Sequence, residues 1–185
     1  MAGIDPNKIM LTGENPFIRL AHESGGAITT RSSFWRVIIS PTGPGHVLTL
    51  TSELTNNQTR IYSDNIALAR WIQKEFESYF HAPFGDKNIE VIDAEFESSG
   101  DVRSYWTETI SSIDDFITMT WYDFGEPFVN HTEPAEGKLP PHGVYTVLLP
   151  AAAARLTLNG EQAIGEPVPQ TRDGTPSSTS CLAFS

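Results

Sequence analysis

Three runs of β-branched and aromatic residues stand out along the chain: Asn88–Glu97, Val102–Ile110 and Phe116–Phe124. Ser-Gly-Asp and Ser-Ser-Ile-Asp punctuation separates them, so they predict an antiparallel meander. Side chains alternate across a strand, which puts Ile89, Val91, Asp93, Glu95 and Glu97 on one face of the first run, and Ile92, Ala94 and Phe96 on the other. In the second run Ser104, Trp106 and Glu108 oppose Arg103, Tyr105, Thr107 and Thr109. In the third, Ile117, Met119, Trp121 and Asp123 oppose Phe116, Thr118, Thr120, Tyr122 and Phe124. No face of the second or third run is wholly apolar, a mixture that suits the wall of a pocket better than the inside of a filled sandwich.

The rest of the chain extends the pattern. Lys8–Thr12 reads as a short edge strand, and Phe17–Glu23, Ser33–Ser40, His46–Glu53 and Thr59–Ser63 as further strands separated by Gly, Pro and Asn turns. A single helix is predicted near residues 64–80, capped by Ser63 or Asp64. Leu68, Ile72, Phe76 and Tyr79 form its apolar face, Arg70, Lys74 and Glu77 fall away from it, and Pro83 and Gly85 stop it. After Phe128–Thr132 comes a polar loop with Gly137, Pro140, Pro141 and Gly143. Val144–Leu149, ended by Pro150, and Ala153–Leu158 complete about nine strands.

The expected fold is all-β and mainly antiparallel: one barrel domain over residues 1–160 with one substantial helix, followed by a Gly/Pro/Ser/Thr-rich tail over 161–185. In outline this resembles calycin-like and lipocalin-like barrels, which implies a fold and no particular function. A two-sheet β-sandwich is the alternative. The tail ends on Cys181-Leu182-Ala183-Phe184, so Leu182 and Phe184 are expected to anchor it across the barrel or on a second subunit of a homo-oligomer.

Charge and composition narrow the partners. A formal net charge of -11 and the lack of any basic run argue against nucleic acid and anionic membrane surfaces. One cysteine, Cys181, excludes an internal disulfide framework. The opening residues carry no basic segment followed by an apolar run, and no apolar run is long enough to span a bilayer, so a cytoplasmic protein is expected.

Candidate chemistry centres on the meander. Glu108, followed by Asp93 and Glu95, is the expected general acid or base, because a carboxyl beside a ring such as Trp106 is desolvated and its pKa rises. Tyr105, Tyr122 and Tyr145 are candidate donors to a developing oxyanion, Arg36 and Arg103 candidate clamps for a substrate carboxylate, and Trp35, Trp106 and Trp121 candidate pocket walls. The plainer alternative puts the acids on a solvent face, the tyrosines in the core with hydroxyls at its rim, and the arginines in cross-strand ion pairs. The five histidines never take H-x-H or H-x-x-x-H spacing, and no metal site is expected, although His131 and Glu133 form one arm of a possible one. No G-x-S-x-G elbow and no phosphate-binding glycine loop occur, and no nucleotide or redox cofactor is expected. The leading expectation is a cofactor-independent lyase, isomerase or hydratase acting on a small molecule. A non-catalytic carrier of an apolar or aromatic ligand is the rival.

Overall fold

A computed structural model describes residues 8–134 and 142–185. Part of the expected polar loop, Gly137, Pro140 and Pro141, lies outside them. The protein is mainly antiparallel β with one helical segment.

Strands β1 (Thr12–Glu14) and β2 (Phe17–Ala21) lie in succession along one edge of the long β3 (Ile28–Ile39). β4 (Gly45–Ser52), β5 (Thr59–Ser63) and β6 (Val91–Asp93) continue on its other side. The helix connects β5 to β6, and these two run parallel. A single residue, Ala94, separates β6 from β7 (Glu95–Asp101), which opens a second sheet with β8 (Tyr105–Ser111) and β9 (Phe116–Phe124). β10 (Phe128–Thr132) pairs with the first half of β11 (Val144–Leu158).

The strand predicted to end at Pro150 does not end there. β11 runs on for 15 residues, pairing with the C-terminal strand up to Pro150 and with β9 from Ala151 onward. A proline has no N–H to give, and here it stands where the strand leaves one sheet for the other, a place where a missing ladder bond is tolerated.

Residues 161–185, whose composition suggested a tail, supply β12 (Glu161–Gln162), β13 (Glu166–Pro167), the hairpin β14 (Pro169–Arg172) with β15 (Thr175–Ser178), and β16 (Cys181–Phe184). β16 is inserted between β1 and β11, with Leu182 buried and Phe184 packed on the core. Its apolar residues are thus used within the chain's own sheet.

Between the two sheets lies a filled core. Phe34, Leu48 and Tyr62 meet Ile110, Met119 and Trp121 there, and the Trp121 indole donates to Phe17 O at 3.0 Å. Asp115, in the β8–β9 turn, ties the layers together: it accepts two bonds from Arg60 at 3.0 and 2.9 Å and one from the Tyr62 hydroxyl at 2.7 Å.

The other face of the first sheet carries the helix. Trp35, Val37, Val47 and Ile61 pack against Leu68, Ile72 and Phe76. The cap is Asn65, not Ser63 or Asp64; its side chain accepts from Leu68 N at 3.1 Å. A regular α-helix over Ile66–Ile72 then widens into a π-helical turn over Gln73–Glu77, in which Ser78 N–H reaches back five residues to Gln73 O, before closing in Ser78–Phe80. The extra residue in that turn rotates the positions beyond it by about 100° relative to an unbroken helix. Glu77, expected on the polar face, is therefore buried, and Tyr79, expected on the apolar one, is 42% exposed.

Candidate functional site

A cavity of about 980 Å³ opens where the end of the helix meets the outer face of the first sheet. β2 and β3 form its floor through Phe17, Arg19, Arg31, Ser33 and Trp35, and the helix and the turn after it contribute Phe76, Glu77, Phe80, His81 and Phe84. Residues of β10 and β11 and Arg172 of the β14–β15 hairpin complete the wall. The turn is held down by the buried Gln73, whose amide donates to Phe84 O at 2.8 Å and Asp86 O at 3.1 Å.

Glu77 is fully buried at the cavity wall. Its Oε1 accepts from the Ser33 hydroxyl at 2.5 Å and from the Trp35 indole at 2.5 Å. Ser33 is itself oriented by Asn15, whose amide donates to the same hydroxyl at 3.0 Å. Oε2 has no hydrogen-bond partner among the described residues. Burial raises the Glu77 pKa, and this outweighs the opposing pull of the Ser33 and Trp35 hydrogen bonds, of Arg19 and of the nearby Thr49 hydroxyl. With both donors on Oε1, the proton of the neutral acid resides on Oε2.

Arg19 and Arg31 are direct cross-strand partners in the β2–β3 hairpin. Burial, then Arg31 and Arg172, brings the Arg19 pKa down to about 10, and burial also lowers that of Arg31. Both remain cationic at neutral pH. The Arg19 and Arg172 guanidiniums lie 5.3 and 5.9 Å from the centre of the Phe17 ring, a distance at which cation–π attraction fixes them. Burial lowers the His81 pKa, and Arg31 and Arg19 lower it further.

Of the residues singled out from the sequence, Trp35 lines this cavity, as do Tyr145, His131 and Glu133 along its β10–β11 side. Glu108 is buried elsewhere, facing the space between the sheets, where it accepts from Ser98 at 2.6 Å and from the Trp106 indole at 2.7 Å. Burial raises its pKa as well. Trp121 lies in the inter-sheet core, with Trp106 packed against it. Arg36 points to the opposite face of β3 from Trp35 and pairs with Glu14; it and Asp93 border a separate shallow depression beside His46 and Asp64. Asp93 and Glu95 are exposed. Tyr105 and Tyr122 are cross-strand partners, Tyr105 being 48% exposed, and Arg103 is exposed in the turn between β7 and β8.

The residues that do converge on the cavity are partly visible in the sequence. In the β2–β3 register, paired positions add to the same sum from Phe17↔Ser33 through Leu20↔Thr30, so a hairpin folded about Gly25-Gly26 puts Arg19 opposite Arg31. A strand begun at Ser33 hides that pairing. Glu77 gives no signal of its own, because its burial depends on the π-helical turn. His131 lies 3.2 Å from Glu133, but among the described residues no group of three or more His, Cys, Asp or Glu side chains is arranged to hold a metal ion. Among them, too, no helix is long and apolar enough to cross a membrane. No family model, no curated protein and no solved structure matches this chain.

Proposed function

We propose that the protein is a small-molecule enzyme of the acid/base type, a cofactor-independent lyase, isomerase or hydratase, with Glu77 as its proton-transferring group. The supporting observation is the Glu77 carboxyl: buried at the wall of a cavity large enough for a drug-sized molecule, with one oxygen fixed by Ser33 and Trp35 and the other unpartnered among the described residues. A carboxyl whose pKa is raised by burial is suited to give and take a proton at the reacting centre. Trp35, Phe76 and Phe84 supply apolar walls that hold a substrate and exclude water.

The site then lies outside the scaffold's interior. The finer reading of the fold that accompanies the proposal is a calycin-like barrel with a filled centre in place of a ligand hollow. A cytoplasmic location belongs to it too, since the single buried Cys181 needs no oxidising compartment.

The ring-rich lining also favours a second reading, a carrier that binds the same molecules without changing them. Hydrogen–deuterium exchange separates the two. In deuterated water, nuclear magnetic resonance follows a panel of enolisable carbonyl and conjugated unsaturated compounds with the wild type and with Glu77→Gln. The enzyme reading expects exchange at carbon for at least one compound, reduced about 100-fold or more in the variant. Exchange absent from the whole panel, or equal in both proteins, refutes it and leaves the carrier.

A further inference from the structure

The geometry points to an organic anion as the molecule this cavity takes, its carboxylate or phosphate head group held by Arg19, Arg31 and Arg172 and its apolar body laid along Trp35 and Phe76. The inference rests on the reading of this cavity as the binding site and adds the class of ligand.

Like charges directly opposite each other on neighbouring strands destabilise a sheet, yet Arg19 and Arg31 occupy such a pair, face the cavity, and are joined there by Arg172. Three of the chain's eight arginines therefore meet at one cavity in a protein with 23 acidic and 12 basic residues. Ordinary surface pairing does not account for them: among the described residues no carboxylate comes within 4.0 Å of any of the three. Arg172 Nε is buried with no hydrogen-bond partner among those residues.

Glu77 does not balance the cluster. Its two hydrogen bonds from Ser33 and Trp35 face Oε1, and its burial favours the neutral acid, so Glu77 supplies at most one negative charge against three positive ones. Glu133 at the rim is exposed and engaged with His131. An oxyanion entering the cavity meets guanidinium donors in a planar fork already suited to two-point hydrogen bonding. Cation–π contact with the Phe17 ring, 5.3 Å from the Arg19 guanidinium and 5.9 Å from that of Arg172, helps hold both forks in place before the ligand arrives. The rings of Trp35 and Phe76, with centroids 5.4 Å apart, then offer a continuous apolar surface beside the cationic end.

The test uses three probes that share a phenyl group: 4-phenylbutyrate, phenyl phosphate and the uncharged 4-phenylbutanol. Isothermal titration calorimetry measures each against the wild type, Arg31→Met, Arg172→Met and, as a control, the exposed Arg103→Met. Arg172 lies on a hairpin outside the main sheets, so its variant keeps the test open if Arg31→Met fails to fold. The expected result is that at least one acid binds about tenfold or more tighter than the alcohol, and that Arg31→Met or Arg172→Met removes this preference while Arg103→Met does not. The ranking of carboxylate against phosphate identifies the head group. Equal binding of acids and alcohol overturns the anion assignment but keeps the cavity as a site. A preference that survives in both arginine variants overturns it too. No binding by any probe counts against both the assignment and the site.

Discussion

Replacing Glu77 with glutamine should flatten one component of the protein's pH–stability curve, and the effect comes from where the side chain sits. In the folded state Ser33 and Trp35 donate to Oε1, and a glutamine carbonyl in the same place accepts both bonds. The amide NH2 replaces the protonated Oε2, which has no partner among the described residues, so at acid pH the exchange is close to neutral. The difference appears as the pH rises. An unfolded glutamate titrates near pH 4.3, whereas burial moves the folded carboxyl upward. Between the two values the folded protein binds more protons than the unfolded one, so stability falls with rising pH, by up to about 1.4 kcal/mol for each unit of that window. Above the folded pKa the full loss has been incurred and the curve is level again. The glutamine variant carries no such loss. Urea denaturation of both proteins in unit steps from about pH 5 to about pH 8 isolates it, because all other titrating groups cancel in the difference. Glu77→Gln should gain on the wild type as pH rises. A constant difference, or a variant that loses ground with pH, would refute the assignment of Glu77 as a buried acid that resists ionisation.

Three other substitutions have outcomes set by the same structure. Asp115→Ala leaves the buried Tyr62 hydroxyl without its acceptor and removes both Arg60 bonds, so it should cost about 2 kcal/mol and lower the Tm by ~4–8 °C, measurable by calorimetry. A Tm within a degree or so of the wild type would show that this bridge between the layers contributes little. Gly13→Ala places a Cβ 2.1 Å from Arg36 O, so β1 must separate from β3; a loss of at least about 1–3 kcal/mol is expected in urea, and an unchanged midpoint would contradict the close approach. Glu108→Gln should leave binding of 4-phenylbutyrate within about twofold of the wild type, because Glu108 faces the inter-sheet space and not the cavity. A large loss of affinity would return the site to the meander.

The strands are legible in the sequence because their signal is local. Alternation in β8 and β9 places Trp106, Glu108, Met119 and Trp121 on inward faces, and they point inward in the fold. The helix is legible as an element but not in its phase. Sequence periodicity assumes a constant turn, and the π-helical segment at Gln73–Glu77 changes the turn where Glu77 depends on it. Pro150 misleads for a related reason: the rule about ladder bonds holds within one sheet, and here a strand passes between two. The cavity is assembled from residues as far apart in the chain as Arg19, Glu77 and Arg172, the last on a hairpin whose Pro, Ser and Thr content reads as unstructured. The mixed faces of the meander do suggest a pocket, but that polarity serves other ends. Glu108 is satisfied by Ser98 and Trp106, and the Thr107 and Thr120 hydroxyls bond across the strands at 2.9 Å.

A structure of the protein with 4-phenylbutyrate bound tests the central claim most directly. The carboxylate should lie within hydrogen-bonding distance of Arg19 or Arg31, with the phenyl ring against Trp35 and Phe76. Density between the sheets beside Glu108, with the cavity under the helix left unoccupied, would contradict it.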